Sequence, residues 1–281
     1  MTDRYTLFGN PIRHSRSPAI HAAFARSLGE AIDYTISERP DDDFEAGVAA
    51  FRAAGGKGAN VTAPFKLRAM ALADTASPAA RLAGAANCLT FTDAGIRADN
   101  FDGIGLVRDI EVNLGVRLAG LRVLLLGAGG AGRGAALPIL EAGPRALVIA
   151  NRHPDRAAEI RDRLSEHANV LAVAPDAISG AFDVVLNATS ASLTGDCPAM
   201  PDAAFQGAAL AYDLSYAKGM TPFLLKAQAD GARLLSDGVG MLVEQAAEAF
   251  ALWRGVRPET AGVIREIAQE TRAIRPDHPL A

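Results

Sequence analysis

The sequence predicts an α/β protein of two domains, each built from a parallel sheet with helices on its faces. Three observations lead there. Short apolar runs alternate with stretches of helical spacing from end to end, the pattern of parallel sheets. One such run, "VLLLGAGGAGRG", leads into a glycine-rich turn followed by another helical stretch. The chain has 281 residues, room for two domains of ordinary size.

The elements follow in order. "YTLFG" reads as a first strand, and Ser17-Pro18 opens a helix through about Leu28, with Ser as N-cap and Pro in the first turn. "IDYTIS" is a second strand and 41–54 a second helix. "GANVT" is a third strand, and a helix starts near Pro64. "NCLTF" and "GIRAD" flank a hairpin turn at Asp93-Ala94-Gly95. A helix over 102–114 precedes a connector, and the seam between domains falls near 103–120. Beyond it come the strand "VLLLG", a helix over 131–142, "ALVIA", a helix over 155–166, "VLAVA", "DVVLNAT" and "ALAYDLSY". A helix from Thr221-Pro222, a short strand "RLLS", a helix over 239–254 and a last helix over 258–274 close the chain. These final helices are expected to pack back on the first domain.

Composition narrows the function classes. Hydrophobic residues make up 49% and charged residues 21%, ordinary for a globular chain, and the formal net charge is −4. No basic run is dense enough for a nucleic-acid face. The start "MTDRYTLFGN" lacks signal-peptide character, and no apolar run is long enough to span a bilayer. Cys88 and Cys197 lie far apart, which points to a reducing compartment. His14, His21, His153, His167 and His278 show no metal-ligand spacing, so no metal is expected.

The glycine-rich turn carries the first chemical signal. Gly127, Gly129 and Gly132 satisfy G-x-G-x-x-G between a strand and a helix, with Gly130 added. Missing side chains let backbone N–H groups approach a pyrophosphate, and the helix N-terminus favours its charge. A turn that merely packs tightly is the rival, but a second strand about 20 residues on supplies the context of a dinucleotide site. That strand ends in "NRHPDR". An NAD site usually carries Asp or Glu there for the ribose; Arg152 and Arg156 suit the 2′-phosphate of NADP instead.

The first half holds a set of polar residues at strand-to-helix junctions. Ser15 and Ser17 precede a helix, Asn60, Thr62 and Lys66 follow the third strand, Asn87 begins a strand, and Asp102 begins a helix. Each has an ordinary alternative. Ser17 and Asp102 could be N-caps, Asn87 a turn residue, and Lys66 an exposed surface lysine. Together they suit an anionic, polyhydroxylated small molecule at the sheet edge where α/β proteins bind ligands.

In order along the chain stand "GNPIRHSRSPAIH", "GANVTAPFK", "AANCLT", "DNFDGIG", "GAGGAGRG", "NRHPDR", "NATS", "YDLSYAKGMTPF" and "DGVGMLVEQA". Together they resemble the shikimate dehydrogenase family over nearly the whole chain. The resemblance implies a two-domain α/β enzyme with a cleft between domains. A substrate-binding domain would span 1–103 plus 243–281, and a Rossmann-type NADP-binding domain 104–242. It implies reversible reduction of 3-dehydroshikimate to shikimate with NADPH, a step of aromatic amino-acid biosynthesis. The protein is expected in the cytoplasm, as a monomer or homodimer.

Carried over by position, Lys66 and Asp102 match the catalytic pair. Ser15, Ser17, Asn60, Thr62, Asn87, Tyr216 and Gln245 match the substrate ligands. Gly127, Ala128, Gly129, Gly130, Ala131, Asn151, Arg152, His153, Arg156, Thr189, Leu214 and Gly238 match cofactor contacts. The chain departs from the family at Phe101 (usually Thr), at His153 (a small hydroxyl), at Pro78 (acidic in some relatives) and in "NATSAS", which lacks a glycine. None of these touches the Lys66–Asp102 pair. A quinate or dual quinate/shikimate dehydrogenase is the near rival, and serine at both 15 and 17 favours shikimate. A catalytically silent binding module is the far rival, and the presence of both Lys66 and Asp102 argues against it.

Overall fold

The computed structural model describes residues 2–275 apart from 165, 167, 168, 217 and 218, so His167 and His278 lie outside the described residues. Two compact units form. One holds the chain up to Asp102 together with Val243–Val263, the other Gly103–Leu242 with the chain from Ile264.

The first unit runs β1 (Asp3–Gly9), α1 (Ser17–Leu28), β2 (Ile32–Glu38), α2 (Phe44–Ala53), β3 (Gly56–Val61), α3 (Lys66–Ala71), β4 (Thr75–Ala76), α4 (Pro78–Ala83), β5 (Cys88–Thr92) and β6 (Gly95–Asp99). Its six-stranded sheet has the order β2-β1-β3-β5-β6-β4. The sheet is mixed rather than wholly parallel. β2, β1 and β3 run parallel, whereas the hairpin at Asp93–Gly95 brings β5 and β6 in antiparallel. The core is rich in aromatics: Phe8, Phe44 and Phe65 are fully buried beside Leu89, and the Phe44 and Phe65 rings stack at 4.6 Å. Phe65 thereby anchors the chain just before Lys66, where β3 has ended and α3 begins.

The second unit opens with α5 (Asp102–Arg108), whose first residue belongs to the first unit. It continues through β7 (Arg122–Leu126), α6 (Gly130–Glu141), β8 (Ala146–Ala150), α7 (Pro154–Arg163), β9 (Val170–Val173), β10 (Val184–Asn187), β11 (Leu210–Asp213), α8 (Pro222–Ala229) and β12 (Leu235–Ser236). The order β12-β11-β10-β7-β8-β9 is parallel at every pairing. The chain winds outward one way from β7 and the other way from β10. The pair forms the topological switch point, outside which doubly wound sheets bind nucleotides. Strands buried on both faces read as continuous apolar runs, and Val123, Leu124, Leu125 and Leu126 are all buried.

Two helices remain, α9 (Val239–Arg254) and α10 (Ala261–Thr271). The stretch 243–281, drawn from the sequence as part of the first domain, divides here. From Ile264 it groups with the second unit. The cause is local bonding: Arg275 clasps the fully buried Asp109 through both guanidinium nitrogens at 2.7 and 2.8 Å, and Asp237 N–H donates to Ile274 O at 2.8 Å.

Candidate active site

Lys66 is the first residue of α3, set there by the turn that ends β3. Thr62 N–H donates to Phe8 O and Phe65 N–H to Thr62 O, so the chain folds over before the lysine. Pro64 has no N–H and cannot extend the ladder. The Lys66 ammonium donates to Asp102 Oδ2 at 2.6 Å, with the side chains 24% and 8% exposed. An isolated surface lysine is thereby excluded. Asp102 heads α5, where helix amides favour a carboxylate. Its own N–H is held by Asn100 Oδ1 at 3.1 Å, and Asn100 Nδ2 donates to Ala85 O at 3.0 Å.

Asn87 connects the surrounding residues. Its Oδ1 accepts from Phe101 N–H at 2.9 Å, while Nδ2 donates to Asp102 Oδ1 at 2.8 Å and to Gln245 Oε1, on α9, at 3.2 Å. Asn60, at 5% exposure, donates from Nδ2 to Asn87 O. Ser15 and Ser17 are joined Oγ to Oγ at 3.2 Å. Ser17 does not cap α1, whose N-cap position is Arg16 without any side-chain bond. The first unit thus brings Lys66, Asp102, Asn87, Asn60 and Gln245 into one bonded set. Thr62 follows β3 directly, and Tyr216, 37% exposed, belongs to the second unit.

Three residues around this set were not singled out from the sequence as site residues. Asn100 was legible, because an Asn two residues before a helix-opening residue is an Asx turn. Tyr34 and His21 were not, since their partners are remote in sequence. The Tyr34 hydroxyl donates to Asn60 Oδ1 at 2.7 Å, and its ring lies flat on His21 at 4.1 Å with an interplanar angle of 9°. Burial pushes the Tyr34 phenol well up. Burial holds His21 neutral, down to about 3, and neither ring nitrogen finds a partner of proper geometry.

In the second unit the glycine-rich turn leaves β7 at the switch point. Gly127 sits at φ +103°, a conformation that favours glycine, and a Cβ there would meet Ala188 and Thr189 at 3.0 Å. A Cβ on Gly132 would strike Gly127 O at 2.0 Å. Nothing stands within 4 Å of a Cβ on Gly129 or Gly130, and no side chain caps the start of α6. The backbone is therefore bare where an anion would approach, with Ala131 in the same first turn. Asn151, directly after β8, fixes the turn by accepting Ala128 N–H at 3.2 Å while donating to His153 O at 2.9 Å. Arg152, His153 and Arg156 are exposed beside it. Thr189 is tied to Asn187 Oδ1 through both its N–H and its hydroxyl. Gly238 packs so closely on Leu214 that a Cβ would lie 2.1 Å from Leu214 O.

A switch-point glycine turn in one unit and a lysine–carboxylate pair among amides and hydroxyls in the other define a dinucleotide-binding oxidoreductase. Family models described as the shikimate dehydrogenase substrate binding domain, shikimate/quinate 5-dehydrogenase and the shikimate 5′-dehydrogenase C-terminal domain match residues 7–89, 110–195 and 238–268. The NADP(+) shikimate dehydrogenase of Nitrosospira multiformis is 55% identical over 94% of this chain and 96% of its own. That of Aromatoleum aromaticum is 52% identical over 95% and 98%. Among solved structures, an Ael1 enzyme from Pseudomonas putida is 57% identical with a TM-score of 0.92, covering 94% of this chain and 98% of that one. Shikimate 5-dehydrogenase from Thermus thermophilus, in complex with NADP(H) and shikimate, is 32% identical with a TM-score of 0.83, over 96% and 100%. The chain belongs to the shikimate dehydrogenase family.

Proposed function

We infer that this protein reversibly reduces 3-dehydroshikimate to shikimate with NADPH, in the shikimate pathway of aromatic amino-acid biosynthesis. The observation that carries this reading is the 2.6 Å contact between Lys66 Nζ and Asp102 Oδ2, set among amides and hydroxyls suited to a polyhydroxylated acid. The unit holding the chain up to Asp102 with Val243–Val263 forms the substrate-binding part, and the unit of Gly103–Leu242 with the chain from Ile264 the dinucleotide-binding part.

The residues present fit NADP. The bare backbone at Gly129 and Gly130 suits the pyrophosphate, and Arg152 and Arg156 offer paired donors to a 2′-phosphate. Asn151, His153, Thr189, Leu214 and Gly238 complete the cofactor contacts. Bound NADP supplies hydride transfer to or from the carbon that bears the reacting oxygen.

Lys66 handles the proton. An ammonium has three N–H donors, and Asp102 takes one, leaving two for a substrate oxygen. In reduction Lys66 gives a proton to the ketone oxygen, and in oxidation it takes the proton back from the hydroxyl. A positioned acid–base group of this kind contributes about 10²–10⁴-fold in rate. Asp102, already bonded through both oxygens, holds Nζ in place. Ser15 and Ser17 bind the substrate carboxylate, and Asn60, Thr62, Asn87, Tyr216 and Gln245 its hydroxyls.

The protein acts on a small molecule in the cytoplasm, as a monomer or homodimer and without nucleic acid. The net charge of −4 supports the last point. Among the described residues no helix is long and apolar enough to cross a membrane. Steady-state rates with shikimate and quinate, each with NADP and NAD, test the reading. The highest kcat/KM is expected for shikimate with NADP, and equal or better use of quinate or NAD overturns it.

A further inference from the structure

The structure assigns to Tyr34 a positioning role in substrate recognition: it locks the Asn60 amide so that Asn60 offers a ligand an N–H and never its carbonyl oxygen. The inference rests on the shikimate reading above for the identity of the ligand. It rests on the geometry of the first unit for everything else.

An amide side chain has two ends of opposite polarity, and a site that uses it must fix which end faces where. Asn60 is fixed from both sides. Asn87 O, a backbone carbonyl, can only accept; it already takes Val61 N–H at 2.9 Å and then Asn60 Nδ2 at 3.2 Å. Turning the amide over would set two oxygens against each other. The other side is Tyr34, whose hydroxyl donates to Asn60 Oδ1 at 2.7 Å. One Nδ2–H of Asn60 is left over, on a residue only 5% exposed.

Tyr34 itself is held. It stands on β2, with β1 between it and β3, so its side chain spans a strand to reach Asn60. The flat stack on His21 at 4.1 Å fixes the plane of its ring. His21 is fully buried, so the stack cannot swing into solvent.

A donor of fixed polarity selects for an oxygen that can accept. A substrate hydroxyl that accepts from Asn60 keeps its own proton to give elsewhere. A ligand lacking that oxygen would leave a buried N–H unpaired, the kind of mismatch by which sites discriminate most strongly. Without the Tyr34 hydroxyl, Asn60 Oδ1 loses its partner and the amide is held from one side only.

The test is a double-mutant cycle between Tyr34→Phe and Asn60→Ala, read in steady-state kinetics and in thermal unfolding. In the wild-type background Tyr34→Phe is expected to lower kcat/KM for shikimate about 10-fold, mainly through KM, with KM for NADP unchanged. In the Asn60→Ala background the same change is expected to cost less than about 2-fold, because the group it positions is gone. Equal penalties in both backgrounds, or no penalty in the first, would overturn the assignment. Wild-type turnover of shikimate is measured alongside. Its absence would sink the substrate reading, while non-additive unfolding midpoints across the cycle would still support the Tyr34–Asn60 lock and additive ones would refute it.

Discussion

Asp102 holds Lys66 with one carboxylate oxygen, at 2.6 Å, and is itself held by Asn87 through the other, at 2.8 Å. A carboxylate engaged on both sides is a fixed point, and the ammonium beside it is the more exposed partner. On the proposed reading Lys66 moves the proton and Asp102 holds it in place, roles that the sequence left undivided between the two residues.

Removing the Asn87 side chain leaves Asp102 Oδ1 short of a donor in a buried setting. Hydrogen bonds to charged groups are worth about 1.5–3 kcal/mol. Asn87→Ala is therefore expected to lower kcat for shikimate oxidation by roughly 10- to 100-fold, with KM for NADP little changed. Steady-state kinetics on the purified variant checks this.

Much of this was legible from local chemistry. The turn at Gly127 was readable because strand, glycines and helix are contiguous, and the sheet order then places it at the switch point. Lys66 was not readable alone, since its meaning depends on Asp102, 36 residues away. Tyr34 was hidden for the same reason, looking like any aromatic of a strand. The short helix α4 was overlooked although Ser77-Pro78 repeats the signature of Ser17-Pro18, and Ser77 Oγ does accept from Ala80 N–H at 3.3 Å. At Ser17 the same signature misled, because there the hydroxyl faces Ser15 and not the helix amides. The split of the chain at Ile264 depends on Arg275 meeting Asp109, an ion pair that no sequence spacing announces.

His21 gives stability a pH dependence. Burial lowers its folded-state value from 6.5 to about 3, so between those values the unfolded chain binds the extra proton. The contribution is present above about 6.5 and is lost as pH falls, on the order of 4–5 kcal/mol in full. Urea unfolding from pH 7 to pH 4 is expected to show a steeper loss in the wild type than in His21→Phe, which keeps a ring against Tyr34.

Asp237 acts in the opposite sense. Burial raises its carboxyl from 3.8 to about 6, against the N–H groups of Ile274 and Val239 and the Arg275 charge, with Asp109 adding to the rise. Its stabilising effect is complete below about 3.8 and is lost as pH rises through about 6, roughly 3 kcal/mol in all. Asp237→Asn is expected to flatten this part of the profile, so that the variant gains on the wild type between pH 5 and pH 7 in the same unfolding assay.

Arg152 is expected to set cofactor choice. Arg152→Ala removes a paired donor for the 2′-phosphate and leaves the glycine turn intact. KM for NADP should rise by about 10-fold or more, with kcat/KM for NAD within about 2-fold of wild type. Equal losses with both cofactors would place Arg152 outside the phosphate contact.

The most direct test of the central claim is kcat for shikimate oxidation by NADP in Lys66→Ala, measured beside the wild type, with shikimate binding followed by calorimetry. If Lys66 carries the proton, kcat falls by about 10²–10⁴-fold while the folded variant still binds shikimate. A folded Lys66→Ala protein that turns over shikimate at near wild-type kcat would contradict the account.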